Sequence, residues 1–153
     1  MRDRHSRSKT CVLLALSGTI LAGGNGVAGE KIAGPVAAEL IRVIDGDTVL
    51  VSAMPWPDHR VTTYVRLRGI DAPELKSRCS AIRSAAEQAQ STLTDLLKAS
   101  PVVALTDISG DKYYGRVVAA ITLADGSDPA AALLSAGLVN PYRGGRKKAV
   151  ACS

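Results

Sequence analysis

One helical stripe divides this chain into two β-rich halves. Cys79, Ile82, Ala86, Ala89, Leu93, Leu96 and Leu97 recur at intervals of three and four, the spacing of an amphipathic helix of about five turns. Arg83, Glu87 and Asp95 fall on its charged face. Ahead of it, residues 37–44 and 48–52 are β-rich and are separated by Asp45-Gly46-Asp47, a sequence that favours a tight hairpin connection. Met54-Pro55-Trp56-Pro57-Asp58 is expected to be a loop, because two prolines remove ladder donors, and residues 60–67 a third strand. Behind the helix, residues 101–107 and 114–123 read as strands, with Ser109-Gly110-Asp111 turning the chain between them. Asp128 as N-cap, Pro129 at the first helical position and Gly137 past the end predict a short helix through Ala136. Strands, helix, strands, helix is an α+β order with a predominantly antiparallel sheet.

At 153 residues the chain has room for one domain with a sizeable core. Phe is absent, so Leu, Val, Ile and Ala must build that core. The first 28 residues are expected to stand outside it. Arg2, Arg4, Arg7 and Lys9 make a basic start, residues 11–22 are apolar, and Gly26-Val27-Ala28 supplies small residues for cleavage after Ala28; together they read as a secretory signal peptide. The apolar run is short of the roughly 20 residues of a membrane span. Residues 29–35 are expected to be a flexible lead, and residues 36–153 the folded domain.

Without residues 1–28 the chain loses four cations and Asp3, so its formal charge falls from +5 to +2. What remains basic is local: Arg143, Arg146, Lys147 and Lys148 cluster near the C-terminus, as a solvated tail or as an attraction for a polyanion. Cys79 and Cys152 also remain. Export would put them in an oxidising compartment, where they are expected to pair and tie the tail to the body.

Two short segments concentrate the chemistry. Val43-Ile44-Asp45-Gly46-Asp47-Thr48-Val49 places carboxylates in a turn between apolar strands, and Arg66-Leu67-Arg68-Gly69-Ile70-Asp71-Ala72-Pro73-Glu74 carries cations, two carboxylates and a backbone-fixing proline. The combination suits a hard-metal phosphodiesterase site. Read singly, Asp45, Asp47 and Thr48 are turn residues bonding the hairpin backbone, and Arg66 is a strand cation. Arg68, two residues from Arg66, shares its face and adds positive field. His5 goes with the signal and His59 lies in a polar stretch, so no histidine chemistry is expected.

With Asp111-Lys112-Tyr113-Tyr114-Gly115-Arg116 and Leu134-Ser135-Ala136-Gly137-Leu138-Val139 added in register, the chain resembles the staphylococcal nuclease (thermonuclease) family over residues 36–142. The resemblance implies a five-stranded antiparallel OB-fold barrel with two or more packed helices. Trp56 is then expected to cap an end of the barrel. It also implies a calcium-dependent nuclease hydrolysing DNA and RNA with low sequence specificity and leaving 3′-phosphates.

Carried over by motif, Asp47, Asp71 and the Ala72 carbonyl correspond to the Ca2+ ligands, Glu74 to the residue on the attacking water, and Arg66 and Arg116 to the phosphate-gripping pair. Lys112 with Tyr113 or Tyr114 corresponds to the grip on a neighbouring phosphate, and Tyr142 to a base-stacking ring. The family's usual Thr is Ala72 here, Ile82 stands where relatives often carry Glu, and two tyrosines separate Lys112 from Gly115 where one residue is usual. The expectation is a secreted or periplasmic monomer acting on nucleic acid without membrane association. The competing reading is an OB-fold nucleic-acid-binding module without turnover.

Overall fold

The computed structural model describes residues 30–145 and residue 152. The expected signal peptide and its cleavage point, and the cations Arg146, Lys147 and Lys148, lie outside the described residues. The elements run β1 (Lys31–Ile32), β2 (Val36–Val43), β3 (Thr48–Trp56), β4 (His59–Leu67), β5 (Ile70–Asp71), α1 (Ser80–Lys98), β6 (Val102–Gly110), β7 (Arg116–Thr122), α2 (Pro129–Ser135) and β8 (Asn140–Pro141).

Five strands close a barrel in the order β2-β3-β4-β7-β6, with β6 returning to β2. Alternation sets its inside: Val49, Val51 and Ala53 from β3, Val65 and Leu67 from β4, Val103 and Leu105 from β6, and Ala119 and Ile121 from β7 are all buried. The barrel is mixed, because β4 and β7 are parallel while the other pairs are antiparallel. The expected antiparallel sheet is corrected at that one seam. Parallel neighbours need a long crossover, and the chain that carries β5, α1 and β6 supplies it.

Helix α1 closes one side of the barrel with Ala86, Ala89, Leu93 and Leu97, spaced three, four and four. Leu93 and Leu97 are essentially fully buried, each contributing roughly 1.5–3 kcal/mol relative to exposure. Asp128 accepts the Ala130 amide at 2.8 Å, with Pro129 opening α2. Gly137 leaves the helix with φ +68°, a left-handed conformation that a side chain would oppose.

Four other local expectations change. Lys31–Ile32 pair with Ile108 and Ser109 of β6, so the lead is not without structure. Strand β3 runs on through Pro55 to Trp56, because β2 has its last partner at Met54 and the ladder to β4 shifts register between Ala53 and Trp56. A proline is tolerated where no ladder amide is required. Trp56 consequently rides the β3–β4 hairpin 65% exposed and does not cap the barrel. Ser109 and Gly110 end strand β6, and the turn lies at residues 111–115, with Gly115 at φ +78° and β7 starting at Arg116.

The cysteines pair as expected. The Cys79–Cys152 disulfide ties the position just ahead of α1 to the tail across 73 residues of sequence.

Candidate active site

The site begins in the turn between β2 and β3. The amides of Ile44 and Asp45 both donate to the Thr48 carbonyl, at 2.9 and 3.3 Å, and the Asp47 amide donates to Asp45 Oδ1 at 3.0 Å. Asp45 is therefore the turn-forming carboxylate, as its sequence position suggests. The turn sits directly on α1: Gln90 Nε2 donates to the Ile44 carbonyl at 2.8 Å, and Gly46 presses against Ala89 and Ala72 where no side chain fits. Asp47 is thereby carried inward, only 2% exposed.

A buried carboxylate must be compensated, and three donors meet this one. Arg66 Nη1 and Thr48 Oγ1 donate to Oδ1, both at 2.9 Å, and the Ala72 amide donates to Oδ2 at 2.8 Å. Thr48 thus holds the Asp47 side chain as well as the turn backbone. Burial still pushes the Asp47 carboxyl up to about 6, with Asp45 adding to the rise, against the Ala72 amide, the Arg66 charge and the Thr48 hydroxyl. Arg66 spans the site, its Nη2 donating to Asp71 Oδ1 at 2.6 Å and to the Ile70 carbonyl at 3.4 Å. Burial works against its charge, but Asp47 and Asp71 outweigh burial and hold the guanidinium above its ordinary range. Asp71 reaches this position because β5 pairs with β8, setting Asp71 opposite Asn140.

The same pairing brings in Tyr142. Its amide donates to the Gly69 carbonyl at 2.8 Å, and its ring lies 5.7 Å from the Arg66 guanidinium. Arg66, Glu74 and Asp45 stand between two adjoining cavities. The smaller, about 360 Å³, is also lined by Asp47, Ala72 and Lys76. The larger, about 860 Å³, is also lined by Arg68, Lys112, Tyr113, Arg116, Tyr142 and Arg143.

On the neighbouring strand β7, Arg116 also lines the larger cavity and is held by Asp111, Nε to Oδ2 at 2.7 Å. Burial raises the Asp111 carboxyl, but the Arg116 bond and charge together with the Lys112 and Tyr113 amides bring it below the usual carboxylate range. Tyr113 lies under two cations, Arg116 at 4.6 Å and Lys112 at 5.0 Å from the ring centroid. The structure separates the two tyrosines: Tyr113 lines the cavity, whereas Tyr114 is fully exposed and is not part of its wall.

Thus the fold brings together Asp47, Arg66, Asp71, Ala72 and Glu74 with Lys112, Tyr113, Arg116 and Tyr142 around the two adjoining cavities. Sequence reasoning missed Asp111 as the holder of Arg116, Thr48 and the Ala72 amide as holders of Asp47, and Gln90 as the anchor of the turn. Asp111 and Arg116 bracketing one short hairpin turn was the available signal for the first. The other three depend on tertiary placement.

Among the described residues, no group of three or more His, Cys, Asp or Glu side chains converges as a ready-made metal cluster. The donor set nevertheless fits a hard cation. Two carboxylates already share one positive group, Arg66, and carboxylate and carbonyl oxygens are the ligands such ions prefer.

A closed mixed barrel with two helices and a polar site at the turn and strand ends on its flank defines an OB-type α+β protein. Residues 64–150 match the family of staphylococcal nuclease homologues, and the chain belongs to that family. The matched span contains Arg66, Asp71, Ala72, Glu74, the 112–116 segment and Tyr142, while Asp47 precedes it. Membership implies nuclease activity in general terms. No curated protein matches the chain.

Proposed function

We propose that this protein is an exported calcium-dependent nuclease that hydrolyses phosphodiester bonds of DNA and RNA with low sequence specificity, leaving 3′-phosphates. The observation that carries the reading is Arg66 bridging buried Asp47 and part-buried Asp71, in the wall of a cavity that Glu74 and Arg116 also line. A purely structural domain has no need of two arginines facing such a cavity.

Asp47, Asp71 and the Ala72 carbonyl would hold the calcium ion, which supplies positive charge to a phosphate oxygen when bound. Glu74 accepts the proton of the water that attacks phosphorus, the new P–O bond forming as the bond to the 5′ oxygen breaks. Arg116 and Arg66 meet the negative charge that builds on the phosphate oxygens. Arg66 keeps its Nε hydrogen and one Nη1 hydrogen for this among the described residues, since Asp47, Asp71 and the Ile70 carbonyl take the others. Asp111 fixes the Arg116 side chain so that its ordering is complete before substrate arrives. Tyr113 and Tyr142 offer apolar faces to the nucleoside, where stacking contributes about 1–3 kcal/mol per base.

Export is supported by the basic and apolar N-terminal sequence and by the disulfide, a bond that persists in oxidising compartments. No helix among the described residues is long and apolar enough to cross a membrane. The enzyme acts as a monomer. The test is Glu74→Gln, a change at an exposed position, which should lower kcat on single-stranded DNA about a hundredfold or more while circular dichroism shows the fold retained. An unchanged kcat would remove Glu74 from the reaction.

A further inference from the structure

The chain carries five aromatic side chains, Trp56, Tyr64, Tyr113, Tyr114 and Tyr142, and none of them is buried in the core. Aromatic rings are the largest apolar groups a core can take in, yet this one is filled by Val, Leu, Ile and Ala. Tyr113 and Tyr142 line the larger cavity. Trp56, Tyr64 and Tyr114 lie outside both cavities of the site.

Neighbouring strands carry these three rings. Alternation along β4 turns Tyr64 outward as it does Arg66, with fully buried Val65 between them. Tyr64 is 40% exposed, and the parallel register sets it beside Arg116, the first residue of β7 and part of the cavity wall. Tyr114 stands two residues before Arg116, fully exposed in the turn that leads into β7. That turn is fastened to β4, where Thr63 Oγ donates to the Gly115 carbonyl at 3.2 Å. Trp56 sits at the tip of the β3–β4 hairpin, paired with His59. At about 3.3 Å per residue, the tip lies roughly 16 Å back along β4 from Tyr64. Arg60 falls between them, and its solvent-exposed ion pair with Glu39 is of the weak kind that exchanges readily for a phosphate.

We propose that Tyr64, Tyr114 and Trp56 form a stacking path along which single-stranded nucleic acid leaves the cavity, running from Arg116 over the outside of β4 toward the hairpin tip. Exposed rings offer each base a face on which to stack, and the cations beside them meet the phosphates. The two tyrosines between Lys112 and Gly115 then have separate places, Tyr113 in the cavity and Tyr114 on the path. This rests on the nuclease reading for the identity of the ligand. It adds that long strands are held better than short ones, and single strands better than duplexes, whose bases are not free to stack.

Trp56 is the chain's one tryptophan, so its fluorescence reports on the far end of the path directly. The experiment titrates Glu74→Gln, with calcium chelated so that the DNA stays whole, with end-labelled oligothymidylates of about 4 and about 16 nucleotides, the range of strand lengths held by one OB barrel. Label anisotropy gives the two affinities, and Trp56 emission gives the contact. The longer strand should bind more tightly and quench Trp56, and the shorter one should leave it unmoved. Adding Tyr64→Ala should shrink the ratio of the two affinities about tenfold, the loss of one stacked base, while Tyr64→Phe, which keeps the ring, should preserve it. A bound 16-mer that leaves Trp56 unmoved, no binding of the 16-mer, or a ratio untouched by Tyr64→Ala overturns the path. Vesicles of phosphatidylglycerol that shift Trp56 emission where the 16-mer does not would overturn it in favour of a membrane-docking face. Binding and cleavage are read apart: quenching by a 16-mer that wild-type protein with calcium never cleaves keeps the path and removes the nuclease reading, whereas cleavage without any Trp56 response removes the path alone.

Discussion

Gly46→Ala is the smallest change that should reach the centre of the site. A methyl built on Gly46 would stand 2.7 Å from Ala89 Cβ and 2.9 Å from Ala72 Cβ. Both obstacles are methyls fixed to backbone, so no rotamer relieves the overlap, and the turn must lift away from α1. Overpacking of this kind costs about 1–3 kcal/mol, while the stiffer unfolded chain returns about 0.4–1 kcal/mol. The net is a destabilisation of roughly 1–2 kcal/mol, or several degrees of melting temperature in a domain of this size. Function should suffer more than stability. Asp47 follows Gly46 directly, and the Ala72 amide that bonds Asp47 Oδ2 at 2.8 Å belongs to one of the two residues being pushed.

The assay is a thermal melt with nuclease rate measured well below the transition, on Gly46→Ala, Ala89→Gly and the double variant. Ala89→Gly alone should cost about 1 kcal/mol as a glycine in a helix, but in the double variant it removes the shorter overlap. The two changes should therefore couple by about 0.5 kcal/mol or more in the favourable direction. Gly46→Ala melting at or above the wild-type temperature, or strictly additive effects, would refute the reasoning.

Cys152→Ser should lower stability by about 2–4 kcal/mol through the loop released from the unfolded chain, read by denaturant titration; intact mass before and after reduction and alkylation checks the pairing in the starting protein. Asp111→Asn should weaken the hold on Arg116 and lower kcat/KM about tenfold, since a hydrogen bond to a charged group contributes roughly 1.5–3 kcal/mol. It should also change the acid limb of the stability curve. A carboxyl whose folded pKa lies below its unfolded value stabilises the fold above the unfolded value, near 3.8, and that contribution is lost as pH falls through the folded one. Melts between neutral pH and pH 3 should thus fall less steeply in Asp111→Asn than in wild type, and parallel curves would remove the Asp111–Arg116 pair as a contributor.

Much of the architecture was legible because it follows from local rules. β-rich runs marked β2, most of β3 and β4, and the three-and-four spacing of Ala86, Ala89, Leu93 and Leu97 marked α1. The Asp128-Pro129 start and Gly137 end marked α2. What escaped depended on neighbours distant in sequence. Lys31–Ile32 form a strand only because β6 offers a free edge, and Pro55 stays in β3 only because the ladder to β2 has already ended at Met54. The parallel β4–β7 seam is a property of the crossover and not of either strand. At the site, carboxylates and arginines could be picked out by motif, since their chemistry is written in side-chain type. Their holders could not: Thr48, Gln90 and the Ala72 amide are ordinary residues until the turn is seated against the helix. Arg68 was legible as positive field, but the neutral oxygens of β6 and β7 that hold its Nη2 emerged only from the fold.

The most direct test of the central claim is cleavage of single-stranded DNA by the purified protein lacking residues 1–28, with calcium and then with calcium chelated. The account predicts cleavage that requires calcium and yields 3′-phosphate ends. Calcium-independent binding of the same DNA without cleavage would contradict it and leave an OB-type binding module in its place.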